Sequence, residues 1–163
     1  MATVLKNLSE FNNEIPTAGA HTFGIVVSEW NIEITGALLN GAVETLKDAG
    51  ATDDQIRIIW VPGSFELPFG AQKLAGMEGH DIDAVICLGC VIQGETRHFD
   101  FICQACADGV TNVGLKFNKP VIFGVLTTDN LEQAQDRSGG KHGNKGVEAA
   151  VTALKMLKLN DLE

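Results

Sequence analysis

Short apolar runs alternate with amphipathic stretches along most of the chain. Phe23-Gly24-Ile25-Val26-Val27 is apolar and β-branched and predicts a buried strand. Ile34, Leu38, Ala42 and Leu46 then recur at helical spacing, with Asn31 placed to cap that helix and Gly50 to end it. Ile56-Arg57-Ile58-Ile59-Trp60-Val61 predicts a second strand, Pro62-Gly63-Ser64 a turn, and residues 65–75 a second helix. A third strand over 84–91 leads through a loop containing Gly94 into a long helix over 98–117. Residues 120–126 predict a fourth strand, followed by a short helix through Ala134 capped by Asp129 or Thr128. A glycine-rich break at 139–143 precedes a last helix ending near Leu159. Residues 1–20 contain Pro16 and Gly19, show little periodicity, and read as an N-terminal arm with a short strand near Val4-Leu5.

Strands that are continuous apolar runs, alternating with helices, predict a parallel sheet covered on both faces. Four strands are too few for a barrel. The expected fold is therefore α/β: a flavodoxin-like three-layer αβα sandwich with a four-stranded parallel sheet, in one domain over 21–163. Ligands in such sheets bind outside the carboxyl ends of the strands. That directs attention to the loops starting at Ser28, Pro62, Ile92 and Thr127.

Composition narrows the function classes. A chain of 163 residues, 45% hydrophobic, suits one compact domain. The net charge is −9, and residues 1–100 carry 5 basic against 14 acidic side chains. Nucleic-acid affinity rests on neutralising phosphates, so a nucleic-acid partner is not expected. No apolar run approaches the roughly 20 residues that span a bilayer, so no membrane partner is expected. The N-terminus lacks the pattern of a signal peptide, which makes the cytoplasm the expected location. Cys87-x2-Cys90 and Cys103-x2-Cys106 have zinc-site spacing. Residues three apart on a strand point to opposite faces, however, and Cys103 and Cys106 fall in a helical pattern, so no metal is expected.

Each loop has a functional and a bland reading. Trp30 could stack on a planar ring or staple the next helix to the core. Glu66 could accept hydrogen bonds from ring or sugar hydroxyls or serve the helix dipole. In Gly89-Cys90-Val91-Ile92-Gln93-Gly94-Glu95-Thr96-Arg97-His98, the glycines allow close backbone approach to a ligand. The amides of Glu95 and Thr96 precede a helix and form an anion seat. His98, one step further, suits proton transfer near neutral pH, unless it is simply bonded to backbone. The basic cluster Arg137, Lys141 and Lys145 could hold a small anion. Residues 139–146 fail the P-loop template, because Lys145 follows Asn144 and Gly146 stands where Ser or Thr would hold magnesium. No G-x-G-x-x-G follows the first strand, and no G-x-S-x-G is present.

Five stretches in register resemble the lumazine synthase family over residues 20–158. They are Phe23–Val27 with Trp30-Asn31; Val61-Pro62-Gly63-Ser64-Phe65-Glu66-Leu67-Pro68; Leu88-Gly89-Cys90-Val91-Ile92 with Gly94-Glu95-Thr96 and His98-Phe99-Asp100; residues 120–127; and Arg137 with Gly143-Asn144-Lys145-Gly146. The resemblance implies condensation of 5-amino-6-(D-ribitylamino)uracil with 3,4-dihydroxy-2-butanone 4-phosphate, giving 6,7-dimethyl-8-ribityllumazine, phosphate and water. It implies no cofactor. It implies that Trp30 stacks on the pyrimidine and that Ser64, Phe65 and Glu66 hold the ribityl chain beside Asn31. Cys90, Val91 and Ile92 would present backbone to the uracil edge. Glu95 and Thr96 would donate amides to the phosphate, paired with Arg137 and close to Lys145. Phe123 and Arg137 would come from a neighbouring subunit, and His98 would move protons. Two positions depart from the usual family residues: Cys90, commonly threonine, and Gln93, commonly basic.

The resemblance further implies a homo-oligomer. The expected unit is a pentamer with sites between subunits, built into a 60-subunit icosahedral shell, the N-terminal arm pairing with a neighbour's sheet. It also implies riboflavin synthase as an associated partner. An archaeal-type riboflavin synthase is an alternative reading and would not need the Glu95-Thr96-Arg137 phosphate seat. A non-catalytic lumazine- or flavin-binding shell is another and would bind product without forming it.

Overall fold

The computed structural model describes residues 7–161 apart from Asn12 and His80. Strand β1 (Phe23–Ser28) leads to helix α1 (Ile32–Asp48), then β2 (Ile56–Val61), α2 (Leu67–Ala75), β3 (Ala84–Ile92), α3 (His98–Phe117) and β4 (Val121–Thr128). The four strands form one parallel sheet in the order β2-β1-β3-β4. A short helix α4 (Leu131–Asp136), a hairpin of β5 (Ser138–Gly140) and β6 (Gly143–Asn144), helix α5 (Lys145–Leu157) and a 3-10 turn (Lys158–Asp161) complete the chain.

The core divides into two layers, one on each face of the sheet. Ile34, Leu38 and Leu46 of α1 and Ala150, Leu154 and Leu157 of α5 bury Ile25, Val27, Ile86 and Leu88 on one face. Leu67, Ala71 and Leu74 of α2 and Cys106, Val110 and Val113 of α3 bury Val26, Val85 and Cys87 on the other. Cys87 and Cys90 thus belong to opposite layers, as strand alternation requires. Edge strand β2 is the exception to the buried-strand expectation. Ile58 and Trp60 are 40% and 42% exposed there. Among the described residues, no helix is long and apolar enough to cross a membrane.

Three local expectations need correction. Asn31 occupies the N-cap position of α1, but in the left-handed conformation (φ 59°) and with no side-chain cap; its amide goes elsewhere. The cap of α4 is Asn130, whose side chain accepts from the Gln133 amide, while Thr128 belongs to β4 and Asp129 donates its own amide to Gln133. The glycine-rich break is an antiparallel hairpin. Its register makes Asn144 the cap of α5, accepting from the amides of Gly146 and Val147 and donating to the Ala37 carbonyl of α1. A Cβ at Gly146 would collide with the Leu38 carbonyl, so that glycine serves the crossing of α1 and α5.

The strand expected near Val4-Leu5 lies outside the described residues. The adjacent arm is tied to its own chain's hairpin: the Leu8 amide donates to the His142 carbonyl, and Ser9 Oγ lies 3.0 Å from the Asn144 carbonyl it donates to.

Candidate active site

Strand β1 feeds a helix on one face and its neighbour β3 feeds a helix on the other. A crevice therefore opens between their carboxyl ends, the switch point where such sheets bind ligands. A cavity of about 730 Å³ occupies it, lined by Trp30 and Asn31 after β1, the Pro62–Glu66 turn after β2, Cys90–Ile92 of β3, and His98 and Ile102 of α3. A smaller hollow of about 340 Å³ lies at the opposite end of the strands, around Thr22, Asp53, Arg57 and Asp81. Among the described residues its lining has no histidine or aromatic ring. The larger cavity gathers the residues with chemistry to offer.

Neighbouring strands set each wall. The amides of Glu29 and Trp30 donate to the Val61 and Pro62 carbonyls and extend the β1–β2 pairing beyond the strands. The Trp30 ring is left 74% exposed, so it does not staple α1 to the core. Asn31 Nδ2 donates across the crevice to the Cys90 carbonyl at 3.1 Å. The Cys90 side chain is buried, and burial pushes its thiol up to about 11, so it is a neutral packing group at ordinary pH.

Ser64 is buried beneath the floor of the turn. A Cβ at Gly89 would stand 2.6 Å from Ser64 Oγ and 2.8 Å from Leu67 Cδ1. The room that Gly89 leaves is therefore filled by Ser64, not held open for a ligand. The Glu66 carboxylate folds back over Gly63, within 3.1 Å of where a Cβ would be.

The loop at 93–97 is exposed. Among the described residues the amides of Glu95 and Thr96 have no hydrogen-bond partner, as an anion seat requires. The His98 amide donates to Thr96 Oγ1 at 3.4 Å. The His98 imidazole has no partner among the described residues and lines the cavity, which disfavours a purely structural role.

Residues 20–161 match the model of the 6,7-dimethyl-8-ribityllumazine synthase family. The chain belongs to that family. It is 65% identical over 157 residues to the 6,7-dimethyl-8-ribityllumazine synthase of Cytophaga hutchinsonii, covering 96% of this chain and 98% of that protein. It is 51% identical over 161 residues to the enzyme of the same name from Parabacteroides distasonis, covering 98% and 99%. Against that from Flavobacterium johnsoniae it is 55% identical over 158 residues, covering 96% and 82%. The protein is thus an enzyme, a transferase of the lumazine synthase class.

Nine of the residues singled out for lumazine synthase chemistry meet in this one cavity: Trp30, Asn31, Ser64, Phe65, Glu66, Cys90, Val91, Ile92 and His98. Pro62, Gly63 and Ile102 also line it. The signal for Ile102 was its helical spacing, one turn beyond His98 on the same face. Glu95 and Thr96 sit just before His98, outside the lining. Phe123, Arg137 and Lys145 do not reach the cavity of their own chain. Phe123 pairs with Cys87, three residues before Cys90 and so about 10 Å along the strand. Arg137 follows α4, where its Nη1 donates to the His142 carbonyl at 2.8 Å and lies 2.7 Å from Glu148 Oε1. That pair is a close ionic contact without the alignment of a hydrogen bond. Lys145 Nζ lies 3.4 Å from Glu148 Oε2.

Proposed function

We propose that the switch-point cavity joins 5-amino-6-(D-ribitylamino)uracil to 3,4-dihydroxy-2-butanone 4-phosphate, giving 6,7-dimethyl-8-ribityllumazine, one phosphate and two waters. The observation that carries this reading is the convergence of an exposed indole, the polar turn bearing Ser64 and Glu66, and an imidazole unpartnered among the described residues on one cavity of about 730 Å³. Trp30 offers flat apolar surface to the pyrimidine, and Phe65 packs against the ribityl chain. Asn31, Ser64 and Glu66 offer hydroxyl-binding groups for the ribityl chain. The backbone of Cys90, Val91 and Ile92 faces the uracil edge.

The chemistry needs orientation and proton movement. The aromatic amine adds to the ketone and water leaves, giving an imine. Loss of the phosphate ester's C–O bond releases phosphate, and attack of the ribitylamino nitrogen closes the ring with loss of a second water. His98 takes and returns protons at the amine and at the departing water. The amides of Glu95 and Thr96, with Arg137 and Lys145, neutralise the phosphate. Holding both reactants in register supplies much of the acceleration.

Arg137 and Phe123 fall outside their own chain's cavity, which supports a site completed by a second subunit. The exposed Ile58 and Trp60 on edge strand β2 support the same conclusion, since an uncovered apolar edge calls for a partner. The assembly proposed is a pentamer, twelve of which close a 60-subunit shell in the cytoplasm, with the N-terminal arm of residues 1–20 pairing onto a neighbour's sheet and riboflavin synthase as an associated partner. The test mixes His98→Ala and Arg137→Ala subunits after reversible dissociation. A site shared between subunits regains activity in the mixture beyond the sum of the two variants. Activity equal to that sum refutes the shared site.

A further inference from the structure

We infer that Glu148 is a positioning residue for the phosphate end of this reaction, holding Arg137 by one nitrogen so that its other edge is free for a dianion. The inference rests on the proposed role of Arg137. Glu148 lies in the first turn of α5, where an acidic side chain is ordinary helix-dipole chemistry and a Lys145 partner three residues back is an ordinary helix pair. Its surroundings are not those of a solvated helix start. Its side chain is 16% exposed, that of Arg137 17%, and it divides its oxygens between two cations. Oε1 meets Arg137 Nη1 at 2.7 Å and Oε2 meets Lys145 Nζ at 3.4 Å.

The arginine is held asymmetrically. Both of its contacts, to Glu148 and to the His142 carbonyl, are made by Nη1. Nε and Nη2 have no partner among the described residues. These two atoms form the fork that grips two oxygens of a phosphate at once. A long side chain loses rotamer freedom when it binds, and an arginine anchored beforehand has less to lose. The hairpin is braced in turn, because the His142 carbonyl that accepts from Arg137 also accepts from the Leu8 amide. Glu148 also sets the charge. With it present, Arg137 and Lys145 bring one net positive charge to the phosphate; without it they bring two.

Alignment and charge predict opposite outcomes, which makes the inference testable on the assembled enzyme. Steady-state kinetics are measured against each substrate in turn, with inorganic phosphate as a competing probe, for Glu148→Ala, Glu148→Gln, Arg137→Ala and the double variant Arg137→Ala/Glu148→Ala. Glu148→Ala is expected to raise KM for the butanone phosphate about tenfold, the scale of one lost contact to a charged group, and to weaken phosphate inhibition in parallel. KM for the pyrimidine stays unchanged. Glu148→Gln has the same reach and still sets an amide oxygen against Nη1, and it recovers part of the loss. In the Arg137→Ala background the Glu148 change no longer raises the phosphate KM, since the arginine it positions is gone. Should Glu148→Ala fail to assemble, Glu148→Asp replaces it, because it keeps the charge but withdraws the carboxylate by one methylene, and the same rise in KM is expected. Tighter phosphate binding in Glu148→Ala, equal changes in both KM values, or a Gln variant no better than Ala overturns the inference. If Arg137→Ala leaves the phosphate KM untouched, the phosphate seat itself is wrong. If Arg137→Ala raises it and Glu148→Ala does not, only the positioning role fails.

Discussion

The side-chain amide of Asn31 reaches from the end of β1 to the carbonyl of Cys90 on β3, 3.1 Å away, and so ties together the two strands between which the switch-point crevice opens. The same residue sits at φ 59°, a conformation that asparagine tolerates better than most residues. These two roles separate by mutation. Asn31→Gly keeps the backbone and loses only the tie, costing about 1 kcal/mol. Asn31→Ala loses the tie and adds left-handed strain, a further cost of about 1 kcal/mol. Chemical denaturation should therefore rank the wild type above Gly and Gly above Ala. Both variants should weaken pyrimidine binding, because both free the Cys90 carbonyl.

Gly89 and Ser64 form a second coupled pair. A Cβ at position 89 has no room while Ser64 Oγ and Leu67 Cδ1 stand where they do. Gly89→Ala should destabilise the fold by about 1–3 kcal/mol, as overpacking does. It should also displace Ser64 from the cavity and raise KM for the pyrimidine. Adding Ser64→Gly should restore part of the stability without restoring the KM. Thermal melts and kinetics on the single and double variants check this. Additive losses in stability would show that the two sites do not share the space.

Four thiols give a pH dependence of defined sign. Burial raises Cys106 to about 12 and Cys90 to about 11, raises Cys87 further with Cys106 adding to the effect, and raises Cys103 with Asp100 adding. Above the ordinary thiol value of 9.0 the unfolded chain releases these protons while the folded chain keeps them. The unfolded state is then favoured, so stability is full below pH 9.0 and falls between 9.0 and about 12. The chain has no tyrosine to obscure that window. The slope of Tm against pH between 9 and 11 should flatten in Cys106→Ala, despite a lower Tm throughout. An unchanged slope would contradict the assignment.

His98→Ala should slow turnover without abolishing it, because binding and alignment survive its loss. Arg137→Ala should act mainly through KM for the phosphate substrate. Initial rates at varied concentrations of each substrate separate the two. A large KM effect at His98 with kcat preserved would reverse the roles.

Much of this architecture was legible in the sequence. The four apolar runs marked the strands, and the alternation marked the parallel sheet and the end of it where the large cavity opens. His98 stood out because it falls where a strand passes through a loop into a helix. What local pattern could not show was where side chains go once strands are neighbours. Asn31 looked like a cap because it precedes a helix, but the Cys90 carbonyl, 59 residues away, takes its amide. Gly89 looked like room for a ligand, but Ser64 fills it. Residues 139–143 looked like a break because a hairpin this short has no hydrophobic alternation to betray it. Glu148 carries no local signal of its own, because its partner Arg137 is brought to it by that hairpin.

The most direct measurement mixes the purified protein with 5-amino-6-(D-ribitylamino)uracil and 3,4-dihydroxy-2-butanone 4-phosphate and follows lumazine fluorescence together with phosphate release. The proposed reaction predicts that both rise with protein concentration, one phosphate for each lumazine, and that His98→Ala lowers both rates together. Tight binding of added lumazine with no lumazine formed from the two substrates would contradict it.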